Sequence, residues 1–502
     1  MSKFGGLMQN LIMVNPKRVN LFLSNAPAKL LEKLGRKNAL AVFREAAQKV
    51  SAYQYFLEEH SIDPRKIKYW EEIPLTDKEN YFRKYPFEEL CLEPLGMMDI
   101  IYRSSGNSGQ PFYWPQLASK DKMIPAYFDL YYNYLLDLRH STLIVNVLAM
   151  GTWVAGITIT TNLKQIALKD DYKLTIVSPG SDIKSALELI ERFGKLYDQI
   201  LIIGYPPFTE HLISKGEETG IKWQEMRIRI QTGGEPFTEA WREKVKERLG
   251  IAKDDLLGVT SVFGSSDTGS GMVGFETALT ILIKKLASQN EKLCVELFKG
   301  IRLPTLMQFV PMSYFIEEID GEIVLTAKSG IPLVRYNIHD RGGVVSFDKM
   351  VEILHLHGYD VISLLSQMGY KTIWRLPFFY CFGRRDAVSI DGANIYAEDI
   401  QEAISEKAIK EINNFKLSIE EGEKQNMRFI IFVELREGIE PKDEMVKLYH
   451  NIFLEKLLEL NDDFRKSYQD NPQSCDPLIK IYKLGQGPFA EDVGRIKQKR
   501  II

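Results

Sequence analysis

Ser104-Ser105-Gly106-Asn107-Ser108-Gly109-Gln110-Pro111 is the stretch on which the reading of this chain turns. It follows an apolar pair, Ile100-Ile101, and runs into Phe112-Tyr113-Trp114. A loop this rich in Gly and Ser carries little side-chain bulk. Its backbone N–H groups can turn inward and its hydroxyls add donors, a combination that can cradle a polyphosphate. It is not the phosphate loop in which Gly-Lys-Ser/Thr closes the motif, because no such sequence occurs. A surface turn has the same composition, so the loop alone leaves both readings open.

Outward from that loop, the chain reads as α/β to about residue 345. Leu143–Leu148, Leu174–Val177, Ile200–Ile203, Ile228–Ile230 and Leu257–Val262 are short apolar runs suited to strands buried on both faces. Amphipathic helices alternate with them. Ser181 is placed to cap one that runs through Tyr197, and another spans about Thr238 to Leu249 and stops before Gly250. The first hundred residues read as mostly helical. After Gly383 the pattern changes. A helix near Ala397–Lys407, strands near Phe415–Ile419 and Arg428–Leu435, a helix over Lys442–Leu460 and a strand over Leu478–Leu484 make a small α+β unit. The expected architecture is a large N-terminal α/β domain, residues 1–384, with a helix-covered, mainly parallel sheet. A small C-terminal α+β domain, residues 385–502, follows it.

The 502 residues are enough for two or three domains, and 45% apolar with 26% charged is an ordinary globular balance. A net charge of −3 provides no basic field, so nucleic acid is not an expected partner. Cys91, Cys294, Cys381 and Cys475 lie far apart and match no metal spacing. They read as free thiols in a reducing compartment, the cytoplasm. Met1–Val14 lacks a convincing cleavage site for a signal peptide. Ser141–Leu163 is long and uncharged, but its Asn and Gly residues favour a buried strand, a turn and a helix over a membrane span.

Four further constellations invite chemistry, and each has an ordinary reading beside it. Gln231-Thr232-Gly233-Gly234-Glu235-Pro236 joins a strand to a helix. Its glycines allow close approach to a flat ligand, or simply a sharp turn. Phe263-Gly264-Ser265-Ser266-Asp267 ends a strand with a ring that could stack on a base and a carboxylate that could hold Mg²⁺. A core Phe and a solvated Asp fit equally. Asp340 closes Leu333–Asp340 and could accept hydrogen bonds from a ribose diol, or be solvated at a strand end. Lys497, Lys499 and Arg500 make the C-terminus basic, which in most chains is solvated charge. Two patterns are set aside. Gly269-Ser270-Gly271-Met272-Val273-Gly274 has dinucleotide spacing but does not directly follow its strand. His355 and His357 would share one side of a strand, yet two ligands are too few for zinc.

The order and spacing of these pieces resemble the adenylate-forming acyl-CoA synthetase superfamily, most closely its phenylacetate–CoA ligase branch, from about Tyr55 to Ile502. The resemblance implies that Ser104, Ser105, Gly106, Asn107, Ser108 and Gly109 hold ATP phosphates. It implies that Gly233, Gly234, Glu235, Pro236, Phe263, Gly264, Ser265 and Ser266 surround adenine, and that Asp340 and Arg384 hold the ribose side. Asp267 would carry Mg²⁺. Gly383-Arg384-Arg385-Asp386, with Gly392, Asn394 and Ile395, resembles the hinge, with Asp386 at its pivot. Lys497 would be the catalytic lysine, brought in by a mobile C-terminal domain. Three departures stand out: Gln110 in place of lysine, Asp267 in place of glutamate, and Ile338-His339 before Asp340 in place of a small polar pair.

The implied function is ATP- and Mg²⁺-dependent conversion of a small carboxylic acid to an acyl-AMP, then transfer to a thiol, coenzyme A first. The alternatives are transfer to a carrier protein, protein thiol or amine, or a degenerate nucleotide-binding module without turnover. Trp153, Tyr205 and Phe208 are candidates to line the acid pocket, and their bulk favours an aromatic or short acid. The sequence leaves open whether the chain is a monomer or a homodimer.

Overall fold

The apolar runs become strands of one sheet, buried on both faces at its centre, whereas Leu174–Val177, expected to be buried on both faces, forms a partly exposed edge. The computed structural model describes residues 15–103, 112–117, 123–151, 154–169, 172–234, 237–384, 388–390, 393–407, 409–421, 427–461, 464–465, 468–469, 472–492 and 500–501. A short hairpin pairs β1 (Ile100–Arg103) with β2 (Tyr113–Gln116), setting Arg103 opposite Tyr113. The large sheet takes β3 (Thr142–Asn146), β4 (Leu174–Val177), β5 (Gln199–Gly204), β6 (Ile228–Gly233) and β7 (Val259–Ser265). It continues through β8 (Ser270–Phe275), β9 (Thr305–Phe309), β10 (Tyr314–Ile319), β11 (Glu322–Ala327), β12 (Leu333–Val345) and β13 (Phe378–Arg384). Its order is β10-β11-β12-β13-β9-β8-β7-β6-β5-β3-β4. Strands β4, β3, β5, β6 and β7 pair in parallel, and β7–β8, β8–β9, β9–β13, β12–β11 and β11–β10 pair antiparallel. Every residue of β3 and β5 is buried, as expected of strands covered by helices on both faces.

Helix boundaries follow their caps. The helix expected to start at Ser181 begins at Ile183, because the Asp182 carboxylate, not Ser181, accepts the Ser185 N–H at 3.1 Å. It ends at Phe193, short of Tyr197. Helix Glu239–Leu249 stops at Gly250, whose φ of +69° is open to glycine at little cost. Ser141–Leu163 divides into β3 and helix Val154–Ala167, and no helix among the described residues is long and apolar enough to cross a membrane. Of the dinucleotide-like glycines, Gly271 and Gly274 lie in β8, antiparallel to β7, and Gly269 takes a left-handed turn just before it. A Cβ on Gly274 would lie 2.3 Å from the Phe379 ring, so packing accounts for that residue. His355 and His357 are not on a strand. His355 lies in helix Phe347–Leu356, and His357 caps it and pairs with Glu296 at 2.8 Å.

The contacts divide the chain into two compact units, 1–235 with 246–382, and 236–245 with 383–502. In the smaller unit β14 (Val388–Ile390) pairs with β15 (Ala393–Ile395). Strand β16 (Ile412–Glu421) lies antiparallel to β17 (Met427–Leu435), which is parallel to β18 (Leu478–Tyr482). Phe415, Leu417, Phe429, Ile431 and Val433 pack against Tyr449, Phe453 and Leu457 of helix Asp443–Leu460 to make its core. All four cysteines are buried free thiols.

Candidate active site

Three of the motifs end at one level of the sheet because they close three neighbouring parallel strands. Gly204 of β5 sits opposite Thr232 of β6, and Gly233 of β6 opposite Val262 of β7. Tyr205, Gly234 and Phe263 therefore follow one another along the carboxyl edge, where open α/β sheets bind ligands. Gly234 has φ +80°, and a Cβ on Gly233 would press Val262 at 3.3 Å. Both glycines keep the backbone bare there. Phe263 is half-buried, with one edge against Phe379 at 5.4 Å between centroids. The Ser265 hydroxyl is buried with no hydrogen-bond partner among the described residues. Tyr205 is buried and Phe208 half-buried at the start of helix Pro206–Glu218.

Beyond β7 the chain makes a single turn, Ser266–Thr268, that buries Asp267. Its carboxylate is held from two distant segments. The Tyr336 hydroxyl donates to Oδ2 at 2.6 Å, and Lys78 Nζ lies 3.6 Å from the same oxygen. Lys78 opens the short turn Lys78–Phe82. Asp77 caps this turn by accepting from the Glu79 and Asn80 N–H groups at 2.8 and 2.7 Å, and its own N–H donates to Asn80 Oδ1. That turn is fixed to β12. Thr76 N–H donates to Arg335 O, Asn337 N–H to Thr76 O, and Thr76 Oγ1 to Val334 O. The buried Arg335 guanidinium adds bonds to the carbonyls of Glu71 and Ile73 and faces Glu317 at 3.5 Å. Burial pushes the Glu317 carboxyl above its ordinary range, against the pull of Trp70 and Arg335. Asp340 is buried on the same strand, beyond two left-handed residues, Arg335 (φ +43°) and His339 (φ +59°), the second directly before it.

The ends of the Gly/Ser loop reach this site. The Ser266 hydroxyl donates to Arg103 O at 3.1 Å. Phe112 stacks obliquely on Trp114 at 4.7 Å, and Trp114 contacts Phe82, which in turn meets Tyr336. The loop itself, Ser104–Pro111 with Gln110, lies outside the described residues, as do Trp153, Glu235, Pro236, Asp386, Lys497, Lys499 and the Arg384 side chain. In the smaller unit Arg500 is not simply solvated. Its guanidinium bonds Asn414 Oδ1 and Phe415 O and lies 4.1 Å from the Phe415 ring centroid, while Leu417 N–H donates to Arg500 O.

Sequence reading placed Gly233, Gly234, Phe263, Asp267 and Asp340 in the same unit, and the structure joins the strand of Asp340 to Asp267 through Tyr336. It missed Lys78, and it took Arg335 and Tyr336 only as part of the strand that ends at Asp340, without their contacts. The capping pattern Asp77–Asn80 signals a helix start, but nothing local says that its lysine faces a carboxylate far along the chain. No group of three or more His, Cys, Asp or Glu able to hold a metal ion occurs among the described residues.

No family profile matches the chain. It is 24% identical over 246 residues to a phenylacetate–coenzyme A ligase from Thermus thermophilus, a stretch that is 47% of this chain and 53% of that one. The chain thus spans about half the length of that curated relative. Among solved structures it is similar to 2-hydroxyisobutyryl-CoA ligase in a postadenylation state with R3-HIB-AMP, with a TM-score of 0.67 and 13% identity. That match covers 96% of this chain and 91% of that one. It is also similar to the same ligase with 2-HIB-AMP and CoA in its thioesterification state, at a TM-score of 0.55 and 14% identity over the same shares. The fold is therefore the one seen in 2-hydroxyisobutyryl-CoA ligase.

Proposed function

We propose that this chain joins a carboxylic acid to a thiol, coenzyme A first, by way of an acyl-AMP made from ATP. A carboxylate is a poor acyl donor because its leaving group is oxide. In the first half-reaction a carboxylate oxygen attacks the α-phosphorus of ATP, pyrophosphate leaves, and the acid is now esterified to AMP. In the second the thiol sulfur attacks the acyl carbon, AMP leaves, and the thiol proton passes to solvent. The protein needs no covalent nucleophile. It must align two anions and offset the charge that builds on phosphorus.

The observation that carries this reading is the convergence on one sheet edge of bare glycines, a half-buried ring and a carboxylate. Gly233, Gly234 and Phe263 end neighbouring strands, and Asp267 is bonded by Tyr336 of the strand that bears Asp340. In this reading Phe263 stacks on adenine, with Glu235, Pro236, Gly264, Ser265 and Ser266 around the base. Asp340 and Arg384 take the ribose side, and Ser104–Gly109 the phosphates. The Ser265 hydroxyl, which has no partner among the described residues, fits a polar ligand at that edge. A single buried carboxylate suits Mg²⁺, which is commonly bound through one or two carboxylates, substrate phosphates and water. Asp267 would hold the ion, which when bound spreads the charge of the phosphates. Lys497 meets the α-phosphate during adenylation only, and Asp386 is the pivot by which the C-terminal domain exchanges the two half-reactions. Tyr205, Phe208 and Trp153 favour an aromatic or short acid. The reaction is assigned to the reducing cytoplasm, which suits four buried thiols.

A screen of carboxylic acids for ATP-dependent pyrophosphate release tests the first half-reaction. Adding coenzyme A, or a carrier protein, to the responding acid tests the second. ATP binding without pyrophosphate release from any acid would replace this reading with a nucleotide-binding module.

A further inference from the structure

His339 interrupts β12 one residue before Asp340, where the sequence departs from its resemblance. Its φ of +59° lies in the left-handed region, which non-glycine residues enter at a cost. About half of its side chain is exposed, so burial of the ring does not explain the backbone. What the conformation achieves is a bridge. Nδ1 lies 3.3 Å from Glu322 Oε2 on the neighbouring β11, and Nε2 lies 3.4 Å from Asp77 Oδ2. Glu322 is itself fixed to β12, since Asn337 Nδ2 donates to the same Oε2 at 2.7 Å. The His339 N–H closes the bend by donating to Asn337 Oδ1 at 2.8 Å. Asp77, on the other side of the ring, is the residue that caps the Lys78–Phe82 turn.

The imidazole thus spans from the strand of Asp340 to the turn of Lys78. Thr76 and Arg335 make the same junction further along β12, through main-chain bonds and buried contacts. His339 is the only exposed, strained member of this set among the described residues named here, and it stands nearest Asp340. We infer that His339 is a positioning residue: it holds the Lys78 turn against β12 and so sets the spacing between Asp340 and the Asp267–Lys78 pair. Under the nucleotide reading above, on which this inference rests, those are the ribose and phosphate ends of one ATP. The strain is retained because the bridge fixes that spacing.

Two substitutions separate this role from a merely structural one. His339→Gly removes both the strain and the bridge, and His339→Asn keeps a residue that tolerates the left-handed region but is too short to reach both carboxylates. Both variants should melt at the parental temperature or above it. In nucleotide-free protein, the amides of Glu79 and Asn80, which Asp77 caps, should exchange with deuterium faster than in the parent. With MgATP, KM should rise by about three- to tenfold, the range expected for loss of one modest polar bridge, while kcat at saturating ATP stays within about twofold. A residue that only stabilised the fold would lower the melting temperature and leave KM unchanged. Parental exchange of the 77–82 turn in both variants overturns the inference. If the parent itself binds no ATP, the nucleotide reading fails on its own, and the exchange measurement still decides whether His339 holds the turn.

Discussion

Asp267 and Glu276 sit at the two ends of one hairpin, and each is a buried carboxylate beside a lysine, yet their surroundings differ. Glu276 is sealed. Its Oε2 accepts the Ser261 N–H at 2.8 Å and its Oε1 faces Lys284 at 3.4 Å, with both side chains almost wholly buried. Lys284 comes from helix Ala278–Ser288, which follows directly, so the pair is made within one local unit. Asp267 stands at the carboxyl edge of the sheet, and its partners, Lys78 and Tyr336, are imported from distant segments. Lys78 keeps 17% of its side chain exposed, against 5% for Lys284. A sealed pair fixes geometry and cannot readily exchange partners, because separating its charges leaves one of them unsolvated. A pair at an open edge can admit a ligand. The difference teaches that burial and pairing alone do not mark a functional carboxylate. The origin and accessibility of the partners do.

The largest expected effect tests the sealed side. Glu276→Ala takes the buried counter-charge away from Lys284 and the side-chain acceptor away from the Ser261 N–H, which should cost about 3–5 kcal/mol in chemical denaturation. Glu276→Gln keeps the shape and the acceptor and should cost less, so it remains measurable if the alanine variant does not fold. Neither should change the Mg²⁺ concentration needed for half-maximal pyrophosphate release. A shift in that requirement without loss of stability would break the comparison.

Next in size is the lysine assigned to chemistry alone. Lys497→Ala should lower acyl-AMP formation by about 10²–10³, the usual cost of one preorganised donor at a developing charge. It should still convert supplied acyl-AMP and thiol to thioester. Lys499→Ala is the control, and loss of adenylation there with retention in Lys497→Ala would reverse the assignment. Asp386→Pro should show the opposite split, because proline fixes φ at the proposed pivot. Parental rates in both half-reactions would remove the pivot.

A smaller effect belongs to Asp340. Charge-assisted bonds to ribose hydroxyls contribute about 1.5–3 kcal/mol each. Asp340→Ala should therefore weaken ATP binding by one to several factors of about ten in calorimetry. Unchanged affinity would leave Asp340 as a strand residue only.

The same contrast explains what the sequence could disclose. Ile200–Ile203 lies inside β5, where a strand buried on both faces is apolar; Leu174–Val177 is β4 as read and Ile228–Ile230 lies inside β6, although β4 is a partly exposed edge strand and Arg229 interrupts the apolar run of β6. The glycine pair 233–234 and the ring of Phe263 could be placed at the sheet edge since they stand at the carboxyl ends of β6 and β7. The capping of Ile183–Phe193 by Asp182 instead of Ser181 was not, as two adjacent residues could each supply the acceptor. Lys78, Tyr336 and Arg335 were hidden for a stronger reason. Their roles arise from tertiary contacts between segments far apart in the chain, and a lysine in a capped turn or a tyrosine in a strand carries no local sign of its partner.

The last test returns to Asp267 itself. Asp267→Asn keeps the side-chain shape, and the Tyr336 hydroxyl can still donate to the amide oxygen, so the turn Ser266–Thr268 should hold. What is lost is the negative charge. Lys78 then faces a neutral group, but its partly exposed side chain can turn to water, which keeps the stability cost near that of a partly exposed ion pair, about 1 kcal/mol or less. An amide oxygen is a weaker Mg²⁺ ligand than a carboxylate. The Mg²⁺ concentration for half-maximal pyrophosphate release should therefore rise roughly tenfold, equivalent to about 1.4 kcal/mol, with turnover largely recovered at high Mg²⁺. Melting should move little, in contrast to Glu276→Ala. Parental turnover of Asp267→Asn at limiting Mg²⁺ would make this carboxylate, like Glu276, a structural one.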